Sequence, residues 1–183
     1  MKKGVRILAI STGPTKGKRT LLLGIVSRDG IIEGVLSSEI AVDSTDSTYK
    51  IASMIKKSRF KEQIRLIVLN GMGLAGLNIV DARRLQKLTN TKIISITRKK
   101  PHPNELIKAL RAFSRDTEAD VKERIGLVAD LENFNVFRIH GFYTQTMLGK
   151  EDAGKFILDG VKLLRLAHLI ASGVSEGESK GRI

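Results

Sequence analysis

Apolar positions come in distinct blocks along the first seventy residues. Val5 to Ile10 is a short apolar run broken by Arg6, and a turn-rich basic stretch from Gly13 to Arg19 follows it. Leu21 to Val26 and Ile31 to Val42 are rich in Val, Ile and Leu and flank Arg28-Asp29-Gly30, a hairpin turn signal. This pattern predicts three antiparallel strands. Asp43 to Thr48 is dense in helix N-cap residues, and Ile51, Ala52, Met54 and Ile55 then fall at helical spacing, which predicts a helix to about Arg59. Ile64 to Leu69 is apolar throughout, as in a central strand covered on both faces.

The remainder is less regular. Leu77 to Leu88 sets Arg83, Arg84 and Lys87 between apolar residues and predicts a helix, and Lys92 to Thr97 predicts a strand. Pro101 and Pro103 introduce a helix from Asn104 to about Ser114. Asp116 to Glu123 is polar and specifies no clear element, Val136 to Thr144 reads as one more strand, and Asp152 to Ser172 reads as a helix. Three antiparallel strands followed by alternating helices and parallel strands is the order of an RNase H-like α/β fold with a mixed sheet. A doubly wound sheet would alternate from the start. One domain over residues 1–183 is expected, with a short polar tail over 174–183.

Composition narrows the chemistry. The 183 residues contain no cysteine, which excludes disulfides, thiolate nucleophiles and Cys-based zinc sites. Hydrophobic residues at 42% and charged residues at 28% fit a folded chain. Met1-Lys2-Lys3 and the run ending at Ile10 are too short and too polar for an export signal, and no run approaches the ~20 apolar residues of a membrane span. A cytoplasmic protein without a membrane partner is expected. The 32 Lys and Arg against 19 Asp and Glu leave a net charge of +13, which points to a polyanionic partner or to a cytosol that tolerates basic proteins. Aromatics at 4% argue against a broad base-stacking surface.

Two glycine patterns invite a nucleotide reading. Gly13 to Thr20 looks like a phosphate loop but has three residues between its glycines, and Arg19 stands where a magnesium-binding hydroxyl is required. Gly71-Met72-Gly73-Leu74-Ala75-Gly76 matches the dinucleotide pattern between a strand and the helix expected over 77–88, with Arg98 available for the extra phosphate of NADP. An NADP-binding module is one alternative. Asp43 and Asp46 frame a helix start, where capping alone explains carboxylates. His168 lies in an apolar helix and reads as a core histidine, while His102 and His140 have no partner at metal-ligand spacing. Lys16, Lys18 and Arg19 form one basic cluster, and Arg98, Lys99 and Lys100 form another at a strand's C-terminal end, where open α/β sheets bind ligands.

Three stretches, VLNGMGLAGLNIVDARRL (Val68 to Leu85), ISITRKKP (Ile94 to Pro101) and LRLAHLIASG (Leu164 to Gly173), resemble the archaeal endonuclease dU family, related to endonuclease V. The resemblance implies an RNase H-like fold and cleavage of DNA beside deaminated bases such as deoxyuridine, dependent on Mg2+ or Mn2+. It places catalytic positions at Ser11, Thr12, Asp43, Asp46 and Asn70, with Asp43 and Asp46 as metal ligands and Asp81 also matching. The family pattern has an Asp-Asp pair where this chain has Ser11-Thr12, an Asp at Asn70, and Pro-Glu-Pro where it reads Val161-Lys162-Leu163. Losing three carboxylates while keeping Lys16, Lys18, Arg98, Lys99 and Lys100 leaves a positive site that repels a dication. The leading expectation is a nucleic-acid-binding relative, DNA ahead of RNA, with weakened or lost cleavage. The alternative is an active endonuclease using Asp43 and Asp46 with neutral oxygen ligands, or one completed by deamidation of Asn70-Gly71.

Overall fold

The computed structural model describes residues 4–112 and 117–179. The ends of two expected elements, Ser114 and the tail over 180–183, and the Met1-Lys2-Lys3 start lie outside the described residues. The opening strands β1 (Arg6–Thr12), β2 (Arg19–Arg28) and β3 (Ile31–Ala41) pair antiparallel, as the apolar runs and the turn signal predict. Helix α1 (Ser47–Lys56) follows, ending in a turn closed by Ser58 Oγ donating to the Ile55 carbonyl at 2.8 Å. Strand β4 (Ile64–Leu69) then runs parallel beside β1, and β7 (Lys92–Thr97) parallel beside β4. Helix α2 (Ala82–Thr89) connects them. With β8 (Asn135–Ile139) and β9 (Phe142–Thr146), one seven-stranded sheet forms in the order β3-β2-β1-β4-β7-β9-β8. This is the RNase H-like mixed sheet expected from the element order.

Period-two alternation divides the core between the two faces of the sheet. Leu8, Ile10, Ile67 and Leu69 point toward α1 and α2, whereas Ile7, Ala9, Leu66, Val68, Ile94 and Ile96 point toward α6 (Ile157–Glu176). Gly160 allows the α6 backbone to lie on the sheet, since a Cβ there would meet Ile96 at 3.0 Å and Val68 at 3.2 Å.

The structure departs from the sequence reading in four places. Residues expected at the start of a helix over 77–88 form a small hairpin, β5 (Gly73–Leu74) and β6 (Asn78–Ile79), and α2 begins only after Asp81, whose side chain accepts the Arg84 N–H at 2.8 Å. The glycine pattern therefore opens no helix, and the NADP reading loses the helix N-terminus that would face a pyrophosphate. The polar segment after Asp116 is α4 (Glu118–Asp130), capped by Thr117 and packed on α3 (Pro103–Ala112). The single strand expected over 136–144 is the β8–β9 hairpin, turning at His140-Gly141 with φ of 49° and 85°. Finally, the C-terminal helix is two, α5 (Lys150–Gly154) and α6, and α6 takes up 174–176 of the expected tail before Gly177 ends it at φ 81°. No helix among the described residues is long and apolar enough to cross a membrane.

Candidate functional site at the strand ends

The C-terminal ends of the parallel strands β1, β4 and β7 share one edge of the sheet. Ile10 pairs with Leu69, so Ser11 and Asn70 follow on neighbouring strands, and the β4–β7 register brings Thr97 and Arg98 beside them. Alternation then sorts these positions. Ser11 and Asn70 continue the series of Ala9 and Val68 toward α6, while Thr12 continues that of Leu8 and Ile10 toward α1. The adjacent pair Ser11-Thr12 is thus split between two faces. Ser11 is buried; Thr12 and Asn70 are half-buried.

Asp43 and Asp46 follow β3 and serve the β5–β6 hairpin. Asp43 has a left-handed backbone, φ 55°, which Asp tolerates better than most residues. Its N–H donates to the Ala75 carbonyl at 2.9 Å and its Oδ1 accepts the Leu77 N–H at 2.8 Å. Gly76, at φ 82°, lies against this carboxylate, and a Cβ there would collide with it. Asp46 accepts from Asn78 Nδ2 at 2.8 Å, and fully buried Asn78 also donates to the Ala41 carbonyl at 2.9 Å and accepts the Ser47 N–H at 3.0 Å. Fully buried Arg124, from α4, completes the clasp by donating to the carbonyls of Asp43 at 3.2 Å and Leu77 at 3.0 Å. Burial pulls the guanidinium pKa below its ordinary value, and the Asp43 carboxylate partly offsets that. Neither acid gives α1 the side-chain cap expected of it, because both reach across to residues 76–78 instead.

Two clefts flank the β4 and β7 ends. On the α6 side a cleft of 260 Å³ is lined by Asn70, Arg98, Phe142, Val161, Leu164 and Arg165, among others. On the α3–α4 side a cleft of 430 Å³ includes Gly71, Gly73, Lys99, Lys100, His102 and Glu105. Thr97 borders both, and its Oγ1 donates to the Lys99 carbonyl at 2.7 Å, which holds the exposed basic turn in shape. Elsewhere basic residues are partly neutralised. Lys16 pairs with Glu176 and Arg19 with Glu39 at 3.4 Å around a separate cleft, while Lys18 is exposed and its carbonyl accepts the Val42 N–H at 2.9 Å.

The donor set does not fit a divalent cation. Ser11 and Asn70 offer neutral oxygens, the acids at 43 and 46 are engaged by the hairpin, and Asp81 caps α2. No group of three or more His, Asp or Glu side chains suited to an ion occurs among the described residues. His168 is half-buried on α6, and His102 and His140 are exposed.

Three residues that matter here escaped the sequence reading. Arg165 lies within LRLAHLIASG; the signal is a cation in a mostly apolar stretch of helix, four residues after Val161. Asn78 and Arg124 are buried polar side chains whose partners lie 31 to 81 residues away, and spacing carries no trace of them.

A family model for endonuclease dU matches residues 3–175. A UPF0215 protein of Archaeoglobus fulgidus is 32% identical over 172 residues, covering 90% of this chain and 91% of the relative. Among solved structures, a protein of unknown function from Archaeoglobus fulgidus DSM 4304 superposes with a TM-score of 0.82 at 30% identity, covering 93% of this chain and 98% of that one. Human ENDOV superposes with a TM-score of 0.49 at 14% identity over 83% of this chain and 74% of its own.

Proposed function

The chain belongs to the endonuclease dU family, and we propose that this member binds nucleic acid along its strand-end edge with metal-dependent cleavage weakened or lost. One observation carries the reading: Ser11 and Asn70, on the α6 face of that edge, are neutral, and the neighbouring Arg98, Lys99 and Lys100 are exposed and without ion-pair partners among the described residues. A hard dication is held by oxygen ligands that include at least one or two carboxylates, and the α6 face of this edge supplies neutral oxygens beside exposed cations instead. Lysine and arginine heads at such an edge attract phosphates regardless of base sequence. DNA is the expected partner ahead of RNA, because the family name refers to a deoxynucleoside.

The test is a cleavage and binding assay on end-labelled oligonucleotides carrying deoxyuridine or deoxyinosine, single and double stranded, with Mg2+ or Mn2+. Wild type is expected to bind without cutting, while a variant combining Ser11→Asp, Thr12→Asp and Asn70→Asp gains metal-dependent cleavage. Ready cutting by wild type would overturn the reading and leave a working repair nuclease. Calorimetric titration with Mg2+ separates the same two cases.

A further inference from the structure

We propose that the cleft between the ends of β4 and β7 and helix α6 is a phosphate site in which Arg98 and Arg165 hold the anion directly, with no bridging cation. For its ligand, a phosphodiester of the bound strand, the proposal rests on the nucleic-acid reading above. Among the described residues, the cleft is lined by two guanidinium groups and no carboxylate. Arg6, Arg19, Arg28 and Arg83 each find a carboxylate in this fold, but Arg98 and Arg165 have neither an ion pair nor a hydrogen-bond partner among the described residues. Two like charges that share a cavity repel one another, and an anion between them removes that cost.

The walls favour the same ligand. Phe142, Val161 and Leu164 are apolar, so they strengthen a charge–charge contact by keeping water away from one side. Asn70 supplies an amide donor where a carboxylate would repel an anion. Arginine offers planar, paired N–H donors matched to phosphate oxygens. The two arginines come from different elements, the turn after β7 and the middle of α6, so the fold presets their approach. At 260 Å³ the cleft lies below the usual range of about 300–1,000 Å³ for whole small-molecule ligands, which suits a phosphate and the sugar attached to it.

The full chain should be titrated in EDTA with inorganic phosphate and thymidine monophosphate, followed by NMR, and with a fluorescent oligonucleotide, followed by anisotropy. Saturable phosphate binding that competes with the oligonucleotide is expected. Arg165→Ala, Arg98→Ala and Asn70→Asp should each weaken both ligands about tenfold or more. All three positions are at the surface or half-buried, so an unchanged melting temperature will show that the fold survives. Arg165→Lys, which keeps the charge but loses the paired donors, should fall between wild type and Arg165→Ala. If the oligonucleotide binds wild type and variants equally and phosphate causes no shifts at these residues, the phosphate site is wrong while nucleic-acid binding stands. If phosphate binds through Arg98 and Arg165 but no oligonucleotide does, the site stands and the nucleic-acid reading falls. Phosphate binding that requires Mg2+ would overturn the direct contact.

Discussion

On the β3 side of the strand-end edge, Asp43, Asp46, Asn78 and Arg124 all hold protein partners; on the α6 side, Asn70, Arg98 and Arg165 hold none among the described residues. Both groups combine charged and amide side chains near the ends of strands. In the first, burial makes an unmet hydrogen bond expensive, so each group is committed to holding the β5–β6 hairpin in place. In the second, the side chains line an open cleft and remain available to a ligand. Residue type alone cannot separate an acid that fastens a loop from an acid that serves a site; the partner list does.

The largest expected effects break the committed side. Asn78→Ala leaves the Ser47 N–H, the Ala41 carbonyl and the Asp46 carboxylate short of a partner. A loss of about 3 kcal/mol is expected, seen as a fall of about 6–12 °C in melting temperature. Gly76→Ala combines the strain of φ 82° with a collision against Asp43 and should cost about 2 kcal/mol. If either variant melts like wild type, the hairpin clasp does not hold the fold together. In folded variants the salt dependence of nucleic-acid binding should stay as in wild type.

A second variant converts the available side. Ser11→Asp with Asn70→Asp places two carboxylates on the α6 face, and position 11 is only 4% exposed. In EDTA the pair should lose about 1–3 kcal/mol through burial of charge, and Mn2+ or Mg2+ should restore part of it by binding the folded state. Thr12→Asp faces α1 and should add nothing to that recovery. A melting temperature insensitive to metal would mean that the α6 face cannot form a cation site even when the acids are returned.

The same contrast explains what the sequence could tell. Alternation and apolar runs define β1 to β4 because each side chain's face is set by its immediate neighbours, and the mixed sheet follows from their order. Gly71 to Gly76 misleads because the motif records only where glycines fall, while the chain uses them for φ near 80° at Gly71, after β4, and at Gly76, in the β5–β6 turn. The uses of Asp43 and Asp46 depend on residues more than thirty positions away, and Arg165 gains its meaning only when α6 is laid against β7. The basic turn at 98–100 was readable, because it ends a strand whose position in the sheet was readable.

A smaller effect concerns that turn. Arg98→Ala with Lys100→Ala removes one cation from each cleft, and the slope of log affinity against log salt should flatten by about 1.4 on single strands or 1.8 on duplex DNA. Stability should not change, since neither side chain holds a partner among the described residues. An unchanged slope would make the basic edge a solubility feature.

The smallest effect tests whether pairing alone withdraws a cation from the interface. Lys16 is 82% exposed and paired with Glu176, so its charge is neutralised locally, unlike that of Arg98. Exposed pairs of this kind contribute less than about 1 kcal/mol to stability. Lys16→Ala should therefore change neither melting temperature nor salt slope appreciably. Glu176→Gln releases the ammonium and should steepen the slope by at most about 0.7–0.9, the contribution of one added phosphate contact. If Lys16→Ala instead flattens the slope as much as Arg98→Ala does, the nucleic acid displaces Glu176, and the interface extends from the strand ends over the loop at 13–19.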